Sequence, residues 1–227
     1  MTLRRGGPQR IPRPPGNRPG APAPWHVAAE PPAGPTLDQV RRSLAAAGPP
    51  IPAPAERDGA RPSAVLVPLY EHEGEVWVVL TRRAAHLRSH QGEVSFPGGG
   101  RDGDEDLVTT ALREASEEIG LVPASVEVVG ELDHLATVTS GSFIVPYVGI
   151  LSGRPDGLVA NLAEVAAILH VPLVELLAEE VYREEVWPFD GAERPIFFFE
   201  LHGDTVWGAT ASMLRRLLAL ITGVAPD

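Results

Sequence analysis

The chain has 227 residues, a net charge of −11, 44% hydrophobic residues and no cysteine. That is enough apolar material for one catalytic domain with an extension, and it excludes disulfides, thiolate zinc sites and cysteine nucleophiles. The acidic balance argues against a nucleic-acid-binding surface, no apolar run approaches the ~20 residues of a membrane span, and no signal-type stretch opens the chain, so a cytoplasmic protein is expected.

In chain order, residues 1–35 come first. They carry Arg4, Arg5, Arg10, Arg13 and Arg18, with no acidic residue before Glu30, among many prolines and glycines. Such a composition resists helix and sheet, and a short disordered tail is expected. Residues 36–60 follow as a short helix and a linker. Thr36 caps a helix running to Ala47, with Leu37, Val40 and Leu44 on one side and Gly48 as its stop. A proline-rich linker then leads to about Arg61. The catalytic domain is placed at residues 61–222.

Within that domain the patterns predict strands at 63–70 and 75–81, a loop over 82–106 and a helix at 107–119. Strands are predicted at 126–132, 143–151 and 164–171, then a helix over 172–180. Further strands fall at 181–187, 195–201 and 204–208, before a closing helix at 210–222. Alternating elements of this kind specify an α/β fold, a mixed sheet between helices in an α/β/α sandwich.

The most informative segment joins the loop to the helix. Gly99-Gly100-Arg101-Asp102-Gly103-Asp104-Glu105 is followed eight residues later by Arg113-Glu114-Ala115-Ser116-Glu117-Glu118-Ile119-Gly120-Leu121. Val108, Ala111, Leu112, Ala115 and Ile119 form a thin apolar stripe that suits close packing on a sheet. Gly120 is a fitting residue to end the helix. Glu114, Glu117 and Glu118 stand at i, i+3 and i+4 on another sector. Like charges at that spacing weaken an isolated helix, and a hard divalent cation with oxygen ligands would offset them. An ordinary solvated acidic face is the competing explanation, which the glycine turn, Glu105 and Arg113 disfavour.

The spacing Gly, five residues, Glu, seven residues, Arg-Glu-Ala-Ser-Glu-Glu-Ile-Gly-Leu resembles the signature of the Nudix hydrolases. All fixed positions match, from Gly99 through Glu105, Arg113, Glu114, Glu117 and Glu118 to Gly120. Ala115 stands where a bulkier aliphatic residue is usual, a matter of packing more than chemistry. The resemblance implies the Nudix fold and metal-assisted cleavage of a nucleoside diphosphate derivative. It implies Mg²⁺ or Mn²⁺ on Glu114, Glu117 and Glu118 with the Gly99 carbonyl. Glu105 and Arg113 belong to the same catalytic set, as a pair that orients the loop against the helix.

A second pattern lies just upstream. Val79-Leu80-Thr81-Arg82-Arg83-Ala84, Arg88, Gly92 and Phe96-Pro97-Gly98-Gly99 resemble the additional motif of the coenzyme A diphosphatase branch, with Val79 in place of a leucine. The likeness continues at Arg61 to Leu69, Thr139 to Pro146, Glu164 to Leu177 and Trp207 to Ala211. Arg82, Arg83 and Arg88 follow an apolar strand and offer forked donors for phosphate oxygens, so they are the candidate substrate-binding residues. A surface cluster offsetting the acidic loop at 102–106 is the plain alternative.

The implied substrate is a small molecule, coenzyme A or an acyl derivative, yielding adenosine bisphosphate and phosphopantetheine. ADP-ribose or another nucleotide is the nearest rival, and a non-hydrolysing nucleotide-binding module the more distant one. No membrane or nucleic-acid partner is expected, and a homodimer is left open.

Other polar residues compete weakly. His86 and His90 are four apart but sit in a predicted loop without a carboxylate partner, which argues against zinc. Glu164 is either a remote acid/base residue or an edge charge, and His134 is equally ambiguous. Residues 139–143 either line the substrate pocket or form a simple turn.

Overall fold

The structure is a computed structural model, and it describes residues 5–27, 34–54, 59–87, 89–137 and 141–224. Two long neighbours organise it: strand β2 (Arg61–His72) and strand β8 (Ser142–Leu151) lie parallel at the centre of a mixed sheet. Strand β3 (Glu75–Arg83) pairs with β2 through a tight turn, and β9 (Val165–Pro172) extends the far edge of β3. On the other side β6 (Val126–Glu131) runs antiparallel to β8. Three short strands complete the sheet. They are β4 (Val94–Ser95) on β3, β5 (Gly98–Gly100) on β2 and β7 (Leu135–Ala136) on β8.

The side-chain period of two along β2 divides the interior. Ala64, Leu66 and Tyr70 belong to the core shared with helix α2 (Leu107–Ile119). Val65, Val67 and Leu69 belong to the core shared with helices α1 (Leu37–Ala46) and α4 (Gly208–Thr222). Helices therefore cover both faces of the sheet, as an α/β/α sandwich requires. Helix α2 lies close to β2 because its buried row is small: Ala111 and Ala115 are fully buried beside Ile119, while Val108 and Leu112 are only partly covered. The residue that departs from the usual aliphatic, Ala115, is thus the one pressed against the sheet. Thr36 caps α1 by accepting from the Gln39 amide, and Gly120 ends α2 in the left-handed region at φ 68°.

Three expectations are corrected. The helix expected over 172–180 is the single turn α3 (Leu173–Leu176). The carbonyl of Leu177, which a longer helix would use, instead accepts from the Trp25 indole and faces the His26 ring. The strands expected near 181–208 do not join the mixed sheet. β10 (Tyr182–Phe189), β11 (Ala192–Glu200) and β12 (Thr205–Trp207) form a separate antiparallel sheet, with α4 packed on it.

The third correction concerns the tail expected to be disordered over residues 1–35, of which 1–4 and 28–33 lie outside the described residues. Residues 5–27 lie on the second sheet as an arm, and β1 (Arg18–Pro19) is its edge strand against β10. The arginines find carboxylates there: Arg5 meets Glu175 and Glu180, Arg13 meets Glu185 and Arg18 meets Glu193. Exposed pairs of this kind contribute little each. The stronger anchor is Trp25, 3% exposed, whose ring stacks near Phe199 and meets Tyr182 edge-on. The linker is likewise pinned at Ile51, which hydrogen-bonds Asp133 and His134.

Candidate active site

Strand β5 delivers three glycines to the edge of α2, and close approach explains the residue type. A β-carbon on Gly98 would stand 2.4 Å from the Ala64 carbonyl oxygen, and one on Gly99 would stand 2.5 Å from the carboxylate carbon of Glu114. Glycine at 98 lets β5 lie against the β2 backbone, and glycine at 99 leaves room for the Glu114 carboxylate of the helix. We expect Gly99→Ala to displace Glu114 and lower kcat/KM about 10- to 100-fold while thermal stability changes little, since Glu114 can swing outward. Steady-state kinetics and a melting curve on the same preparation check this.

Arg113 ties the loop to the helix. Its guanidinium donates to Glu105 at 2.9 Å, to the Gly100 carbonyl at 3.1 Å, to Glu114 at 2.9 Å and to Glu117 at 3.1 Å. Glu105 also accepts from the Asp102 amide and the Thr110 hydroxyl. The Arg113 hydrogen bonds hold the Glu105 carboxyl down at about 2, so it stays ionised throughout the working range.

The three helix glutamates differ in environment. Glu117 is exposed. Glu114 is half-buried, and burial raises its carboxyl above the ordinary value against the pull of Arg113. Glu118 is 4% exposed, and burial pushes its carboxyl up to about 7, with Glu114 and Glu164 adding to the rise. Against that stand, among the described residues, a distant Arg83 guanidinium, 3.9 Å away, and a long hydrogen bond from the Gly98 amide at 3.4 Å. A desolvated carboxylate with so few partners is a strained electrostatic element.

The proposed ligands share one surface without closing on a point. Arg113 draws Glu114 and Glu117 to itself, Glu118 turns toward Gly98, and no three His, Asp or Glu side chains gather around a common position among the described residues. Glu164, ambiguous from sequence, is near enough to raise both Glu114 and Glu118 electrostatically, and its carbonyl accepts from the Ala84 amide.

The arginines separate by strand alternation. Arg83 points to Glu118, and its Nε is buried without a hydrogen-bond partner among the described residues. Arg82 points the other way, into a two-pronged pair with Asp204 at 2.8 Å on both contacts. Arg82, expected from sequence as a phosphate ligand, thus has one edge of its guanidinium engaged by a carboxylate. Arg88 and Thr139 lie outside the described residues. His86 contacts the Ala163 carbonyl, His90 pairs with Glu93 and His134 with Glu131, so the two loop histidines have separate partners. Asp204 went unnoticed in the sequence because nothing local marks an aspartate whose partner is 122 residues away.

A mixed sheet between helices, with a glycine strand set against an acidic helix by an arginine, is an α/β/α protein whose carboxylates and guanidinium groups suit phosphate chemistry. Residues 60–190 match the NUDIX domain, and the chain belongs to the Nudix family, whose members hydrolyse nucleoside diphosphate derivatives. It is 38% identical over 172 residues to an uncharacterised Nudix hydrolase, NudL, of Photorhabdus laumondii, covering 74% of this chain and 89% of that one. The NudL of an Enterobacter species is 39% identical over 168 residues, covering 73% and 85%. A crystal structure of a MutT/nudix family protein from Enterococcus faecalis superposes with a TM-score of 0.52 at 15% identity, covering 83% of this chain and 75% of that chain, which supports the fold.

Proposed function

We propose that this pyrophosphohydrolase acts on coenzyme A or an acyl-CoA, with Mg²⁺ or Mn²⁺, releasing adenosine bisphosphate and (acyl)phosphopantetheine. One observation carries the reading: a buried Glu118 carboxylate with few partners beside Arg83, whose Nε has no hydrogen-bond partner among the described residues. The first needs a cation and the second an anion. A metal–diphosphate pair satisfies both at once.

The donor set fits a hard divalent ion: carboxylates of Glu114, Glu117 and Glu118 with the Gly99 carbonyl, all oxygen and all on one surface. A bound ion supplies charge neutralisation at the phosphoryl oxygens and lowers the pKa of a bound water. The protein's own groups do the rest. Arg113 holds the glycine strand and Glu105 in register with the helix. Arg83 binds a phosphate oxygen. Water adds across the P–O–P bond, the bridging oxygen leaves with one phosphate, and two phosphomonoesters result.

Support for coenzyme A comes from the arginine motif around Arg83, Gly92 and Phe96, in which Arg82 falls at the variable place. The test is turnover of coenzyme A, acyl-CoA, ADP-ribose and NADH with Mg²⁺, Mn²⁺ or EDTA, with products identified. Coenzyme A should be cleaved fastest and EDTA should abolish turnover. Arg83→Ala should raise KM for coenzyme A about tenfold or more, one charged hydrogen bond being about 1.5–3 kcal/mol. Faster cleavage of ADP-ribose would refute the substrate assignment. Binding without turnover under saturating Mg²⁺ would make the protein a ligand-binding module.

A further inference from the structure

We propose that Gln9, on the amino-terminal arm, is a positioning residue for substrate binding: its side-chain amide ties the arm to both the end of β3 and the turn that backs Arg83. Every polar atom of that amide is used across long sequence distances. Nε2 donates to Asp204 at 2.7 Å and to the Gly92 carbonyl at 3.1 Å, and Oε1 accepts from the Thr205 amide at 2.8 Å. The Thr205 donor fixes which end of the amide is which.

The two donated bonds reach the arginine strand by separate routes. Asp204, 3% exposed, is the carboxylate that engages one edge of Arg82, so Gln9 closes a chain from the arm to β3. Gly92 belongs to the turn at residues 90–93, where His90 and Gly92 both adopt positive φ. The carbonyl of the next residue, Glu93, accepts from the Arg83 amide at 2.9 Å. β4 then pairs with Thr81 and Arg82. The backbone that carries Arg83 is thereby held on one edge by a turn whose outer carbonyl has Gln9 as its partner.

The arm is shaped for this approach. At Gly7 a β-carbon would stand 2.5 Å from the Asp204 α-carbon and 2.7 Å from the Gly203 carbonyl oxygen. The Gly7 amide donates to the Thr205 hydroxyl at 3.0 Å. Glycine at that position brings the arm down onto the loop before β12, and Gln9 reaches across from there.

The proposal rests on Arg83 binding substrate, so its test has an arm that does not. Gln9→Ala should raise KM for coenzyme A about tenfold with kcat within about twofold, the pattern of lost binding rather than lost chemistry. Amide hydrogen exchange at residues 90–95 should accelerate in the same variant without any ligand. Gln9→Glu keeps the acceptor for Thr205, loses both donors and sets a second carboxylate by Asp204, so its KM should rise at least as far. Arg18→Ala, which breaks only the exposed pair with Glu193, should change neither readout.

Unchanged KM and unchanged exchange in Gln9→Ala overturn the proposal. So does a fall in kcat and melting temperature with KM constant, which marks a purely structural contact, and so does an equal KM rise in Arg18→Ala. A wild-type protein that cleaves no diphosphate defeats the substrate reading instead. In that case faster exchange at residues 90–95 still supports the tether, and unaltered exchange overturns it.

Discussion

Glu118→Gln should abolish most of the activity and, in metal-free protein at pH 8, make the fold more stable. Loss of one charged group that acts on the transition state lowers kcat about a hundredfold to a thousandfold. The stability gain follows from linkage. The Glu118 carboxyl is pushed up to about 7 in the folded protein, from 4.5 in a solvated chain. Between those values the native state binds more protons than the unfolded state, so stability falls as pH rises through that window.

Above about pH 7 the buried negative charge then costs on the order of 3 kcal/mol at full effect. Glutamine removes the charge and still accepts from the Gly98 amide. The advantage should fade as the pH falls to 4.5 and below, where the wild-type side chain is protonated in the folded state and becomes so in the unfolded one. Adding Mg²⁺ should raise the melting temperature of the wild type far more than that of the variant, because binding to the native state stabilises it. Melting curves at pH 4.5, 6 and 8, with and without Mg²⁺, check all three points. Near-wild-type turnover in Glu118→Gln would sink the metal assignment.

Trp25→Ala should cost about 3–5 kcal/mol, the range for truncating a buried tryptophan. The ring fills space between Tyr182 and Phe199, and its N–H donates to the Leu177 carbonyl. For a chain of this size that lowers the melting temperature by roughly 10 °C. Trp25→Phe keeps most of the buried area, gives up the hydrogen bond and should lose much less. Urea unfolding of the three proteins measures the difference. A loss under about 1 kcal/mol for Trp25→Ala, within the range of surface changes, would show the arm to be an appendage rather than part of the core.

The helix of residues 107–119 was legible because its information is local. A glycine stop, an apolar row and three carboxylates at helical spacing all lie within one short segment, and the structure reproduces its limits. The pairing of Glu105 with Arg113 was legible for the same reason, the two being eight residues apart. What spacing could not convey was environment. Glu114, Glu117 and Glu118 look alike in sequence, yet Glu118 alone is buried, because the turn of the helix places it under the Gly98 amide.

The arm is the opposite case. Its prolines, glycines and arginines are the composition of a disordered segment, and nothing near them supplies a core. Their partners are Glu175, Glu180, Glu185, Glu193 and Phe199, more than 150 residues along the chain. Arg82 and Arg83 show the same division on a single strand.

By itself, then, the sequence determined most of the longer elements, their amphipathic faces and the acidic helix behind its glycine turn, since each depends on backbone propensity and periodicity over a dozen residues. Tertiary structure alone decided which glutamate is desolvated, which arginine faces it, that the late strands form a second sheet and that the arm docks there. Those outcomes depend on burial and on charge pairing between distant segments. Neither quantity exists until the chain has folded.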